Sequence, residues 1–262
     1  MSRKQKRQLN RLERRQKRQF KRLERRGPIV RFLKSILKIF KRKPEIINLT
    51  GGELPDKAIY IGNHNAASGP ITYETYFTKI LTPWGAHQMC ENYRERWKYL
   101  YHIFYRQKLK YSKFKSWVIA TLFAIISRMV YIGVGLIPTY QDARLLKSIR
   151  YSIDILKHGH AILIFPENSN EGYKEILEEY NHGFITLSKL FNKIHGEDLP
   201  VYNVYYSKQH AKIVIDGPFY LNKMLSEGKT EQSIAQMMVE KTNALYANYI
   251  LPAQLPPTTT EK

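Results

Sequence analysis

The sequence predicts an α/β domain, a mainly parallel central sheet flanked by helices, preceded by a basic amphipathic helical extension. Three observations predict it. Short runs rich in β-branched and aromatic residues alternate with helical patterns between residues 58 and 249, an order that builds a parallel sheet covered by helices. A chain of 262 residues can bury one sizeable core. The charge is segregated: of a net +21, residues 1–43 hold 19 Lys/Arg against Glu13 and Glu24, which leaves the remainder only mildly basic.

Residues 1–27 read as a basic arm. Arg11-Leu12-Glu13-Arg14-Arg15 returns as Arg22-Leu23-Glu24-Arg25-Arg26, 11 residues later and close to three helical turns. On charge alone, nucleic acid and anionic lipid suit such an arm equally, and a solvated tail is the plain alternative. Gly27-Pro28 then breaks the chain and opens a helix over residues 28–43. Ile29, Phe32, Leu33, Ile36, Leu37 and Phe40 recur at helical spacing, with Arg31, Lys34, Lys38 and Lys41 on the other side. That pattern describes a helix lying in a membrane interface, and each basic residue near an anionic leaflet adds about 1 kcal/mol. The competing expectation is a helix docked on its own domain with its lysines in water. The apolar face favours anionic membrane lipids over nucleic acid as the partner.

Residues 44–251 form the expected folded body. Strands are expected at residues 58–62, 131–137, 161–165, 201–206 and 211–215, and helices at 71–81, 91–105, 116–129, 142–158, 183–193 and 230–249. The apolar run 117–126 is closed by Ser127 and Arg128 and is about half the roughly 20 residues a membrane span needs, so it reads as a buried core helix or a segment touching the interface. No small-residue cleavage site follows an apolar stretch, so no secretory leader is expected. The Pro/Thr-rich residues 252–262 read as a disordered tail.

A single cysteine, Cys90, excludes an internal disulfide and a cysteine-based metal site. His158, His160 and His182 lack metal-ligand spacing. His64 and Glu167 each follow an expected strand, where sites gather in parallel sheets. A histidine there is a candidate general base, and Asn63 beside it can equally close a turn.

Four blocks, in order across about residues 58–218, resemble the glycerophospholipid acyltransferase family, whose bacterial type acylates lysophosphatidic acid. They are Gly62-Asn63-His64 through Pro70, against the family's Asn-His-x4-Asp-Pro; Gly133-Val134-Gly135-Leu136-Ile137-Pro138; Ile162-Leu163-Ile164-Phe165-Pro166-Glu167 followed by Asn181-His182-Gly183-Phe184; and Leu199-Pro200-Val201-Tyr202-Asn203-Val204 with Asp216-Gly217-Pro218. The resemblance implies that His64 takes a proton from an acceptor hydroxyl, which attacks a thioester on coenzyme A or acyl carrier protein, with no metal and no bound cofactor. It implies a lysophospholipid or related acceptor, and the arm with the helix over residues 29–40 is expected to hold such an enzyme peripherally at the cytoplasmic face of the membrane.

The sequence departs from that family at three places. Gly69 stands where the family has the aspartate that orients the histidine; losing such a carboxylate from a hydrolase triad costs about four orders of magnitude in rate. Ser68, Glu74, Asp142, Glu167 or a backbone carbonyl are the candidate substitutes, with Asn63 in support. The family's phosphate-binding arginine falls at Gln141, with Arg144 near it, and its Gly-Thr-Arg is Asn168-Ser169-Asn170. Glu167, Asn168, Ser169, Asn170, Arg144 and Lys174 are the expected acceptor and phosphate contacts, with Lys147 and Arg150 as further cations. Two rivals accompany this expectation: a catalytically degenerate lipid-binding protein, and a nucleic-acid binder acting through the arm.

Overall fold

A computed structural model describes Phe20 and residues 23–251; most of the basic arm and the 252–262 tail lie outside the described residues. Seven strands form one sheet in the order β1-β7-β6-β2-β5-β3-β4: β1 (Glu45–Asn48), β2 (Ile59–Gly62), β3 (Leu81–Ala86), β4 (Ile137–Thr139), β5 (Ala161–Ile164), β6 (Pro200–Ser207) and β7 (Lys212–Tyr220). Every pairing is parallel except β6 with β7. The expected α/β class with a mainly parallel sheet is therefore observed.

The centre of the sheet follows from composition. β2 and β5 are short continuous apolar runs, buried at every residue, as strands covered on both faces must be. Ile59, Ile61, Ile162 and Ile164 face a layer built by helices α5 (Leu145–Lys157), α6 (Gly183–His195) and α8 (Glu231–Leu245). Tyr60, Leu163, Tyr202 and Tyr206 face the other way, onto Tyr73 of α2 (Ser68–Tyr76) and Phe77. Helix α7 (Leu221–Ser226) follows β7.

Between β3 and β4 the chain inserts a helical lobe with its own core of Met89, Leu100, Tyr105, Ala120 and Ala124. It holds a 3-10 turn (His87–Cys90), α3 (Tyr93–Lys98), a wide π-helix (Tyr99–Lys108) and α4 (Lys113–Val134). The strand expected at 131–137 is corrected here. Residues 131–134 complete α4, Gly135 ends it in the left-handed conformation (φ 73°), and only Ile137–Thr139 is strand. Four apolar residues do not separate strand from helix by periodicity alone, and the preceding helix wins. The helix expected at 71–81 starts at Ser68 and stops at Tyr76, and Leu81 opens β3. Pro83 disguises β3: it lies where the partner changes from β5 to β4.

Helix α1 (Pro28–Phe40) docks on the body and still leaves an apolar face outside. It crosses α4 at Gly133, where an added Cβ would stand 2.5 Å from Val30 Cγ2, and Gly27 N donates to Gly133 O at 3.2 Å. Arg26, almost fully buried, forks onto Glu74 (Nη2–Oε2 2.6 Å) and donates to the Val134 and Leu81 carbonyls; Lys34 also reaches Glu74, and Lys41 donates to Thr72 at 2.9 Å. Lys34 and Lys41 thus face the domain, where the docked-helix alternative had the lysines in water. Phe32, Ile39 and Phe40 are 65%, 77% and 82% exposed. Ile29 is also exposed, and Leu33, Ile36 and Leu37 are half-buried.

The run 117–126 is likewise longer and more open than expected. Helix α4 has 22 residues, long and apolar enough by length and composition to cross a membrane, and 22% of its apolar window is buried in the protein. Ser127 is buried and donates to Ala124 O, so it continues the helix instead of ending it. Phe114, Trp117, Leu122, Ile125, Met129 and Ile132 are exposed.

Candidate functional site

Register brings His64 and Glu167 together. β2 pairs with β5 through Ile61 and Ile164, and each residue of interest lies three positions further on. The chain leaves β2 towards β3, beyond β5, and leaves β5 towards β6, beyond β2. Opposite departures from neighbouring parallel strands open the crevice where open α/β sheets bind ligands.

The β2 exit is pinned from the side. Asn63 Oδ1 accepts from Tyr206 N (2.7 Å) and from the Tyr73 hydroxyl (3.2 Å), and its Nδ2 donates to Tyr206 O (2.9 Å). The Asn63 amide thus prolongs the β2–β6 ladder after the backbone has turned away. Asn65 and Ala66 follow with φ of 42° and 53°, a left-handed pair that returns the chain straight into α2. There Gly69 packs directly on the loop: an added Cβ would overlap the His64 carbonyl oxygen and stand 2.9 Å from the carbonyl carbon. The place of an orienting aspartate is closed by the backbone of the histidine itself.

The imidazole sits in an aromatic slot. Its ring stacks on Tyr173 at 4.9 Å and meets Phe165 edge-on at 4.8 Å, and Nδ1 is buried without a hydrogen-bond partner. Burial pushes its pKa down to about 4; the Ala66 carbonyl pulls the other way, and Lys108 adds to the lowering. Glu167 makes no hydrogen bond to the ring Nδ1. Its Oε1 accepts from the His64 backbone N at 2.7 Å, so it orients the loop and not the imidazole. Burial raises the Glu167 carboxyl to about 7, against the His64 N–H and the Lys108 charge. The turn that carries it is tied by Asn181, whose N and Nδ2 both donate to Pro166 O.

Two residues of this cluster are absent from the sequence-derived set. Lys108, half-buried, closes the π-helix of the inserted lobe and donates to Ser169 Oγ at 2.6 Å. Tyr173 forms the stacking wall. Neither carries a spacing signal; contacts between distant segments place them.

The remaining expected site residues are distributed as follows. Ser169 joins the cluster through Lys108. The Asn170 carbonyl accepts from Gln107 (3.2 Å), and Asn168 Nδ2 donates to Glu179 (2.8 Å). Ser68 Oγ lies 3.1 Å from the Tyr206 hydroxyl. Glu74 is engaged by Arg26 and Lys34, so it does not serve His64. Asp142 and Arg144 pair with each other at the surface (2.7 Å), with Arg144 over the Tyr140 ring, and Lys174 pairs with Glu171 and Glu178. Lys147 and Arg150 are exposed on α5. Of the substitutes weighed for the aspartate, a backbone carbonyl, that of Ala66, influences the protonation of the imidazole, and none pairs with Nδ1. No cluster of His, Cys, Asp and Glu suited to a metal occurs among the described residues.

No family model matches the sequence, and no curated protein sequence matches it.

Proposed function

We propose that the protein is a peripheral membrane O-acyltransferase that moves an acyl chain from acyl-CoA or acyl carrier protein to a lysophospholipid or related hydroxyl acceptor, with His64 as general base. The observation that carries this reading is the emergence of His64, its Nδ1 unpaired, from the central strand at the crevice beside Glu167. The neutral imidazole takes the proton from the acceptor hydroxyl as its oxygen attacks the thioester carbonyl. The tetrahedral intermediate collapses, the C–S bond breaks, and the imidazolium returns the proton to the departing thiolate. A pKa of about 4 keeps the imidazole unprotonated at neutral pH, at the cost of basicity.

The exposed apolar faces of α1 and α4 support a membrane surface as the place of work. Arg31, Lys38, Lys113 and Lys115 are exposed on the same two helices and suit an anionic cytoplasmic leaflet.

The test is incubation of the protein and membranes with labelled acyl donor and a panel of lysolipids, beside His64→Ala. His64-dependent labelling of one acceptor is expected. The absence of a carboxylate on His64 favours one second reading, a lipid-binding protein of this fold without turnover. That reading predicts lipid retention unaffected by His64→Ala and no transfer by either protein.

A further inference from the structure

We propose that Tyr173 is a positioning residue for His64, its ring holding the imidazole plane where this chain has no orienting carboxylate. The placement of the ring stands on geometry; its consequence for turnover rests on the acyl-transfer reading above.

The need for such a residue arises at position 69. A general base works at a fixed distance and angle from the proton it takes. In a histidine–carboxylate pair, a hydrogen bond to Nδ1 sets the ring. Here Nδ1 is buried with no partner, and the His64 backbone fills the space that a side chain at Gly69 would use. The last torsion of a histidine side chain is broad, so a ring without that bond is free to rock. Contact removes the freedom. Tyr173 lies within 20° of parallel to the imidazole with ring centres 4.9 Å apart, and Phe165 meets it at 63° and 4.8 Å. Both separations are ones at which aromatic pairs attract. Phe165 also packs on the core around Tyr60 and Leu163, whereas Tyr173 comes from the loop after Glu167.

A plate can hold a ring only if it is itself held. Gly172 precedes Tyr173 at φ 118°, a conformation that residues with a Cβ rarely adopt, and its N donates to Ser169 O at 3.1 Å. The inserted lobe clamps this turn. The Lys108 carbonyl packs on Gly172, Gln107 Nε2 donates to Asn170 O at 3.2 Å, and Lys108 Nζ donates to Ser169 Oγ at 2.6 Å. The Lys108 ammonium stands 5.8 Å from the centre of the Tyr173 ring, and the Ser169 hydroxyl bonds the phenol. Tyr99, Tyr131 and Glu167 face the phenol as well, and burial holds it well above its ordinary pKa. Tyr173 therefore stays un-ionised and acts through its ring.

The experiment compares wild type, Tyr173→Phe, Tyr173→Leu and Tyr173→Met as full chains. NMR of histidine-labelled protein reads the ring, with the His64 signals identified by their loss in His64→Gln. Stacking should displace these signals upfield of their unfolded positions in the wild type. Tyr173→Phe should keep the displacement, and Tyr173→Leu and Tyr173→Met should lose most of it. Acyl transfer to the best lysolipid is measured beside it. In Tyr173→Leu and Tyr173→Met, kcat should fall about two- to tenfold, the range an aromatic pair supplies, with KM unchanged; Tyr173→Phe should restore it. Wild-type signals with no upfield displacement, or the same displacement in all the variants, overturn the proposal. So does a raised KM with kcat unchanged, which would make Tyr173 a substrate contact. Equal losses in Tyr173→Phe and Tyr173→Leu also overturn it, since the hydroxyl would then be the working group. No transfer by any of these proteins, with the displacement lost in Tyr173→Leu and Tyr173→Met, sinks the enzyme reading alone and supports the placement of the ring.

Discussion

A side chain at position 69 would collide with the carbonyl of the residue it is meant to serve, so Gly69→Asp does not rebuild the family's histidine–aspartate pair in this backbone. The variant should lose about 1–3 kcal/mol of stability by overpacking and lose His64-dependent transfer with it. Chemical denaturation beside the transfer assay checks this; a stable Gly69→Asp protein with raised activity would show that the loop opens freely. The two titrating residues at the crevice give a second expectation, with opposite signs. The folded value of His64 lies below the ordinary 6.5, so the unfolded chain binds the extra proton between about pH 4 and 6.5. Its contribution to stability is complete above pH 6.5 and is lost as pH falls towards 4. Glu167 is raised from 4.5 to about 7, so its contribution is complete below pH 4.5 and is lost as pH rises towards 7. Urea unfolding across this range should show the stability difference between wild type and His64→Gln growing with pH, and that between wild type and Glu167→Gln shrinking. Slopes of the same sign would contradict these environments. At this scale the sequence made His64 and Glu167 legible, because each ends an apolar run of strand type. Lys108 and Tyr173 were not legible, because their approach to His64 is made only by tertiary contact.

Helices α1 and α4 each leave large apolar side chains exposed, and the fastening of α1 to the domain distinguishes it from a loose tail. Val30 fills the notch at Gly133, while Arg26, Lys34 and Lys41 bind the α2 side. The periodicity of α1 was plain in sequence, yet which lysines faced inward was not, since lysine stems pack as readily as they reach solvent. The extent of α4 was hidden by Ser127 and Arg128, polar residues that a helix tolerates when one is buried with a partner and the other points out. Phe32→Asp combined with Trp117→Asp should weaken binding to anionic vesicles by tenfold or more, since each large side chain contributes about 1.5–3 kcal/mol when buried in lipid. The melting temperature should be nearly unchanged, because both residues are exposed. Flotation with vesicles and a thermal melt measure the two; undiminished flotation would mean that this face does not meet the bilayer.

Over the whole molecule, the alternation of strands and helices announced the sheet, and the buried runs 59–62 and 161–164 announced its centre. Strand β1, four residues on an edge, and β3, with its proline, carried too little pattern to be read. The architecture explains the site's address: the crevice between β2 and β5, one wall supplied by the inserted lobe whose α4 bears the apolar face. A bilayer at that face and a base at that crevice make one working arrangement. The most direct measurement is the pH dependence of kcat/KM for acyl transfer to the best lysolipid, for wild type and His64→Ala. The account predicts activity that rises through an acid limb near pH 4, stays level to neutrality, and vanishes in His64→Ala; equal activity in the two proteins, or an acid limb at the ordinary histidine value near 6.5, would contradict it.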